Sequence, residues 1–239
     1  MHFDSFFCNS RRAGPGFRTV PCEERKTMLV LSSLIYRVPA LLMALTVHEY
    51  AHGAMSASLG DPTPGAQGRL TMNPLAHIDP IGAIMLVLVG FGWARPVQVD
   101  PRYYRNPRND FTKVALAGPG ANLLLCFLAL FIGSLLAKFV APAVGMRSFS
   151  GVAAFLRWLA LYNVWFACFN LLPLPPLDGY NVIRRFLPYE TAYAYENFIG
   201  RYSTLILIVL CFTSIIGIIL QPIASLYVEL CYAVISLVL

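Results

Sequence analysis

His48, Glu49 and His52 fall within one short stretch, His48-Glu49-Tyr50-Ala51-His52, and these residue types at this spacing can do metal-assisted water chemistry. On an α-helix, residues four apart share a face, so both imidazoles can converge on one ion. Glu49, one step round, can reach a water bound to that ion. Zinc is the expected metal, as a single ion, because paired imidazoles, a carboxylate and an open position suit it and its bound water is acidified. The competing reading is two satisfied core histidines with an incidental Glu between them. With only four His in the chain, a chance match is on the order of one in several hundred.

Two imidazoles make an incomplete site, so a third protein ligand must come from elsewhere. The candidates in apolar surroundings are Asp178, Glu229, His77, Asp79 and Glu196. Asp178 stands out because it follows Asn170-Leu171-Leu172-Pro173-Leu174-Pro175-Pro176-Leu177. The prolines end a helix and free backbone carbonyls. At membrane depth such chain is tolerated only where it is buried in protein or lines a wet cavity.

The elements that must hold these residues are apolar helices. A chain of 239 residues that is 57% hydrophobic and 13% charged cannot hide its apolar surface in one soluble core. Stretches long enough to cross a bilayer recur at Pro39 to Leu59, Val114 to Val140, Gly151 to Leu172, Tyr202 to Leu220 and Ile223 to Leu239. Ile81 to Gly92 is too short to cross alone and reads as a re-entrant or partial span. The expected fold is an all-α polytopic membrane protein of about five to six transmembrane helices, with short membrane-associated β segments near the site. Pro39 suits a first helical turn, and Gly60-Asp61-Pro62 is a stop signal. Counted from Pro39, His48 lies roughly 13 Å along a helix of about 30 Å, near mid-membrane.

The net charge of +6 is clustered in loops, which reads as topology information and gives no phosphate-binding face, so nucleic acid is not an expected partner. Bases from Arg95 to Lys113 place that connection in the cytoplasm, and the helix from Pro39 then runs inward. The basic arm of Arg11, Arg12, Arg18, Arg25 and Lys26 conflicts with that orientation, so translation is expected to start at Met28. Residues 1–27 have neither a signal-peptide core nor periodicity, and read as an arm that is untranslated or disordered. Residues 28–239 form one domain, with a core over 39–187 and C-terminal helices over 202–239. Cys126, Cys168, Cys211 and Cys231 stand singly in apolar spans and read as small buried hydrophobes.

The residues now resemble a known family, the site-2 proteases, which are zinc-dependent intramembrane metalloproteases. The resemblance rests on His48-Glu49-x-x-His52, on Asn170-x-x-Pro173 leading to Asp178-Gly179, and on three stretches between them. These are Gly68 to Pro80, Gly92-Trp93-Ala94-Arg95-Pro96-Val97 and Ala117-Gly118-Pro119-Gly120-Ala121-Asn122. It covers about Met28 to Leu187, resembles the compact bacterial-type branch, and lacks PDZ and CBS modules. It implies that His48, His52 and Asp178 bind zinc, that Glu49 is the catalytic acid/base, and that Asn170 helps place substrate or the oxyanion. It also implies hydrolysis of single-pass membrane proteins within or near their membrane segments, in contact with membrane lipid. The expected location is the cell (inner) membrane, multi-pass, with the site near mid-membrane towards the cytoplasm. A homo-oligomer or a regulatory membrane partner is left open.

Neighbouring residues divide between site and scaffold. Asn170 also reads as a helix-end cap. Ala117 to Ala121 reads as a small-residue face lying against the helix of His48, with Asn122 bonding across that contact as a structural group or a neighbour of the ligands. His77 reads as a loop histidine, with a place beside the ligands or the substrate as the sharper reading. Arg69 to Met72 and Arg95 to Val99 read as strand edges able to hold an extended chain. Glu229 reads as a structural hydrogen-bonding group. Two rival functions use the same residues: a zinc protease whose third ligand is Glu196 or Glu229, and a zinc transporter or sensor without proteolysis. Transport needs polar groups spread along a path, and most of these spans lack them.

Overall fold

The computed structural model describes residues 22–82, 94–213 and 215–239. Helix α1, Cys22–Ser58, carries the His-Glu-x-x-His stretch and contains Pro39 well inside it. The expected start at Pro39 is therefore corrected, and depth cannot be counted from that residue. A proline removes one helical hydrogen bond, a loss that a helix packed by its neighbours tolerates. The end of α1 is where the stop signal placed it. Gly60 takes φ 103, a left-handed conformation natural to glycine. The Gly60 amide then donates to the Ala57 carbonyl and the Asp61 amide to the Ser56 carbonyl.

After α1 the chain makes a helical turn, Thr63–Ala66, and 3-10 turns at Pro74–Ala76 and Pro101–Tyr103. No strand forms among the described residues. In place of the expected β segments there is a single antiparallel bridge, Ile78 to Ala94. The 95–99 chain has no partner strand because its backbone is used otherwise: Pro96 has no N–H, and the Val97 amide donates to Glu49. Most of the expected Ile81 to Gly92 span lies outside the described residues, as do residues 1–21.

Besides a helical turn at Ala141–Val144, four long elements and one short one follow. They are α2 (Pro107–Phe139), α3 (Met146–Asn170), the nine-residue α4 (Asp178–Phe186), α5 (Tyr189–Phe212) and α6 (Ile215–Val238). The expected division of the last two spans at Gln221-Pro222 is also corrected. Helix α5 ends at Phe212 with an extended Thr213, while Pro222 sits inside α6. Among the described residues, three stretches are long and apolar enough to cross a membrane, Pro107–Ala143, Phe149–Asn170 and Ile215–Val238.

Helix α2 packs against α1, α3 and α4. Small residues at the contacts, Ala40 of α1, Ala129 of α2 and Ala160 of α3, are almost completely buried and let the backbones approach closely. Large apolar side chains such as Ile35, Leu124 and Ile218 point outward, the reverse of a soluble protein and suited to lipid. Polar side chains are kept for contacts between helices. Asn122 of α2 donates to the Ala44 carbonyl of α1 at 2.9 Å and to Asn163 Oδ1 of α3 at 2.7 Å. Asn163 in turn donates to the Leu159 carbonyl at 2.8 Å. Both amides are fully buried, so this chain of bonds fixes the rotation of three helices relative to one another.

Candidate metal centre

The proline run returns Asp178 to α1. Helix α3 ends at Asn170, the Pro175-Pro176 bond is cis, and α4 begins with Asp178 itself. The turn is tight: a Cβ on Gly179 would lie 2.1 Å from the Leu171 carbonyl oxygen. Only glycine lets α4 start so close to the end of α3.

His48, His52 and Asp178 then form a group of ligand atoms able to hold one metal ion. The two Nε2 atoms are 3.0 Å apart. Asp178 Oδ2 lies 3.2 Å from each of them. In a tetrahedral shell with zinc-ligand distances of about 2.0–2.1 Å, neighbouring ligand atoms sit roughly 3.3 Å apart. The observed triangle has that size.

Hydrogen bonds on the far side of each ring decide where the protons are. His52 Nδ1 lies 2.7 Å from the Val114 carbonyl, which can only accept, so Nδ1 carries the proton. His48 Nδ1 lies 2.6 Å from Asn122 Oδ1. The Asn122 orientation is fixed because its other end faces the Ala44 carbonyl, another obligate acceptor. His48 Nδ1 therefore donates as well. In the neutral rings both Nε2 atoms present lone pairs to each other and to a carboxylate oxygen that is buried without a hydrogen-bond partner. Three converging acceptors repel unless a cation sits among them, and one borderline cation satisfies all three.

Asn122 therefore does more than bond across a helix contact. It sets the tautomer of His48 and aims its ring. Asn122→Ala should weaken zinc binding by about 10- to 100-fold while the protein stays folded, as read by competition with a chelator. Unchanged affinity would show that packing alone orients His48.

Gly118 was legible in the sequence only as part of a packing face, yet it makes room for both rings. A Cβ there would lie 2.3 Å from His52 Nε2 and 2.7 Å from His48 Cε1. Phe166 of α3 closes another side, edge-on to His48 with ring centroids 4.9 Å apart. The Val114 carbonyl and the Val97 amide left no signal in the sequence, because backbone groups carry no residue-type information.

Glu49 is buried beside the triad on α1, and its Oε2 accepts from the Val97 amide at 2.9 Å. The loop supplying that amide is held by Asp61, which is 1% exposed. The Asp61 carboxylate accepts from Ser56 Oγ at 2.7 Å, the Thr63 amide at 2.9 Å and the Asp100 amide at 2.8 Å. Ser56, whose proton goes to Asp61, accepts from the Tyr104 hydroxyl at 2.6 Å. Burial pushes the Asp61 carboxyl up, but these hydrogen bonds outweigh it and hold its pKa below the ordinary carboxylate value. A lowered pKa stabilises the fold fully above the ordinary value near pH 4, and that contribution is lost as pH falls through the folded value. Thermal unfolding should therefore show an acid-labile increment below about pH 4 that is missing in Asp61→Asn. Parallel acid profiles for the two proteins would remove Asp61 from this role.

The remaining candidates sit elsewhere. Asn170 donates its amide to the Phe166 carbonyl at 2.9 Å, the helix-end arrangement. His77 is fully buried, with Nε2 2.9 Å from the Thr71 carbonyl and Nδ1 without a partner. It is not in the ligand group. Asp79 accepts from the Gly82 amide at 2.8 Å. Glu196 pairs with Arg184 at 3.1 Å, and Glu229 is exposed on α6. Among the described residues, the only ligand group is the one containing Asp178.

Comparison with known proteins gives the family. The sequence model of peptidase family M50 matches residues 135–214, which include Asn170 and Asp178. A Bacillus subtilis (strain 168) protein named "Putative zinc metalloprotease YwhC" is 42% identical over 158 residues, covering 66% of this chain and 72% of that one. Two mycobacterial proteins carry the same description under the name Rip2. The one from Mycolicibacterium smegmatis is 29% identical over 184 residues, 75% of this chain and 68% of its own. The one from Mycobacterium tuberculosis (H37Rv) is 34% identical over 158 residues, 63% and 56% respectively. No solved structure matches. A triangle of two imidazoles and a distant carboxylate, on a chain this similar to a zinc metalloprotease, identifies it as a member of peptidase family M50, the site-2 protease family.

Proposed function

We propose that this chain hydrolyses peptide bonds in or near the transmembrane segments of single-pass membrane proteins, as an intramembrane zinc metalloprotease. The observation that carries the reading is the set of three facing acceptors, with both Nδ1 protons bound outward, at the spacing of a zinc shell. His48, His52 and Asp178 hold the ion. The chemistry zinc supplies in such a site is polarisation of the scissile carbonyl and acidification of a water molecule.

The protein's own groups do the rest. Glu49, with one oxygen held by the Val97 amide, takes the proton from the water and hands it to the leaving amine. Asn170, at the edge of the proline run, turns its amide from the Phe166 carbonyl to the developing oxyanion. The 95–99 chain runs beside Glu49, with its Arg95 and Val97 amides taken by the His77 carbonyl and by Glu49, and offers its remaining backbone groups to an unwound substrate. The molecule crosses the inner membrane about five to six times, with its site towards the cytoplasm; the apolar helices and the bases between 95 and 113 support this topology.

Asp178→Ala should reduce bound zinc from one ion per chain to none at chelator concentrations the wild type resists. Glu196→Ala and Glu229→Ala should each retain the ion. Zinc retained in the Asp178 variant but lost in either glutamate variant would replace this ligand set. For the activity, single-pass membrane fragments should accumulate in cells expressing Glu49→Gln relative to wild type. A membrane proteome identical in the two would reject the proteolytic reading.

A further inference from the structure

A groove of about 690 Å³ opens where α2 begins and α4 passes into α5, and its walls include Arg108, Arg184, Arg185, Tyr189, Tyr193 and Glu196. The arginines are not equally neutralised. Arg184 is paired with Glu196 at 3.1 Å. Arg108 instead donates to the carbonyls of Arg185 and Leu187, at 3.0 and 3.1 Å, which caps the end of α4. Arg185 donates from Nε to Asn109 Oδ1 at 2.7 Å. Among the described residues no carboxylate pairs with Arg108 or Arg185, and the nearby Asp110 is taken by Lys113 at 2.7 Å.

Neutral acceptors hold these two guanidiniums in place without cancelling their charge. Each keeps further N–H donors for an anion with several oxygens. The groove lies at the first turn of an apolar membrane-length stretch, and Tyr189 and Tyr193 stand 85% and 63% exposed at its rim. Exposed tyrosines at that level are characteristic of the membrane interface, where anionic headgroups are found.

We propose that this groove binds the phosphate headgroup of an anionic phospholipid. The proposal rests only on the membrane setting of the chain, and its failure would leave the metal centre standing. Because Arg184 and Arg185 end the helix that starts with Asp178, a bound headgroup also steadies the element that delivers the third ligand.

The test uses the full-length zinc-loaded protein in neutral detergent, offered phosphatidylglycerol and phosphatidylcholine together and examined by native mass spectrometry. Two unneutralised arginines predict roughly tenfold or greater retention of the anionic lipid. Arg108→Gln with Arg185→Gln should abolish the preference while zinc stays bound. Should that variant fail to fold, a photoactivatable phosphatidylglycerol on the wild type decides the matter, with labelled peptides expected within 101–111 and 181–196. Equal retention of the two lipids, or labelling confined to other segments, overturns the proposal. Displacement of the lipid by inorganic phosphate alone would also overturn it, reassigning the groove to a free anion. Protection of the groove by an acidic juxtamembrane peptide with no lipid label would overturn it in favour of a substrate-binding role.

Discussion

Glu49→Gln should bind zinc as the wild type does and cleave a membrane-embedded substrate about 10²- to 10⁴-fold more slowly. The substitution keeps the size of the side chain and one carbonyl oxygen to accept from the Val97 amide, so the loop and α1 are expected to keep their places. What is lost is the ability to carry a proton, and general acid/base transfer is worth that range. None of the ligand-ligand distances involves Glu49, so the metal content should not fall. The measurement is therefore paired, with bound zinc by metal analysis and turnover in the same preparation. Zinc present with wild-type turnover would assign the proton transfer to another group. Zinc absent would make Glu49 part of the scaffold, and the loss of activity would then say nothing about its chemistry.

Residue type and periodicity reveal a site when its parts are side chains of rare kinds. His48, Glu49 and His52 were legible because histidine is scarce in the chain and four-residue spacing has one geometric meaning on a helix. Asp178 was legible as one of five candidates, raised above the others by its proline run; the return of the chain to α1 depends on Gly179 and the tight turn before α4, which no periodicity encodes. Helix existence was legible from apolar length, whereas helix limits were not. Pro39 and Pro222 are helix-breaking signals in a soluble setting, yet here both sit inside helices. The expected strand edges do not form among the described residues; for 95–99 the reason is related, since alternation in a short segment does not say where its amides go, and the Val97 amide goes to a carboxylate.

Gly118→Ala is expected to abolish zinc binding although it improves the helix. In an exposed helix interior the change stabilises by about 1 kcal/mol, because glycine carries the larger backbone entropy cost. At Gly118 the added carbon would lie 2.3 Å from one ligand nitrogen, 2.6 Å from the neighbouring carbon of the same ring and 2.7 Å from the other imidazole. Relief requires the rings to retreat by about 1 Å, whereas a metal shell tolerates only about 0.2 Å. The steric effect thus removes the site, and the crowding, at about 1–3 kcal/mol, offsets the propensity gain of about 1 kcal/mol. Gly120, on the same helix two residues on, has open space where a Cβ would stand. Gly120→Ala should then keep zinc and activity and gain a few tenths of a kcal/mol up to about 1 kcal/mol. Comparing the pair in one chelator competition and one thermal melt separates the two effects. If both variants kept zinc equally well, α2 would not press on the imidazoles as closely as this packing requires. If both lost it, the alanine would be acting through the helix as a whole, and Gly118 would have no special place beside His48 and His52.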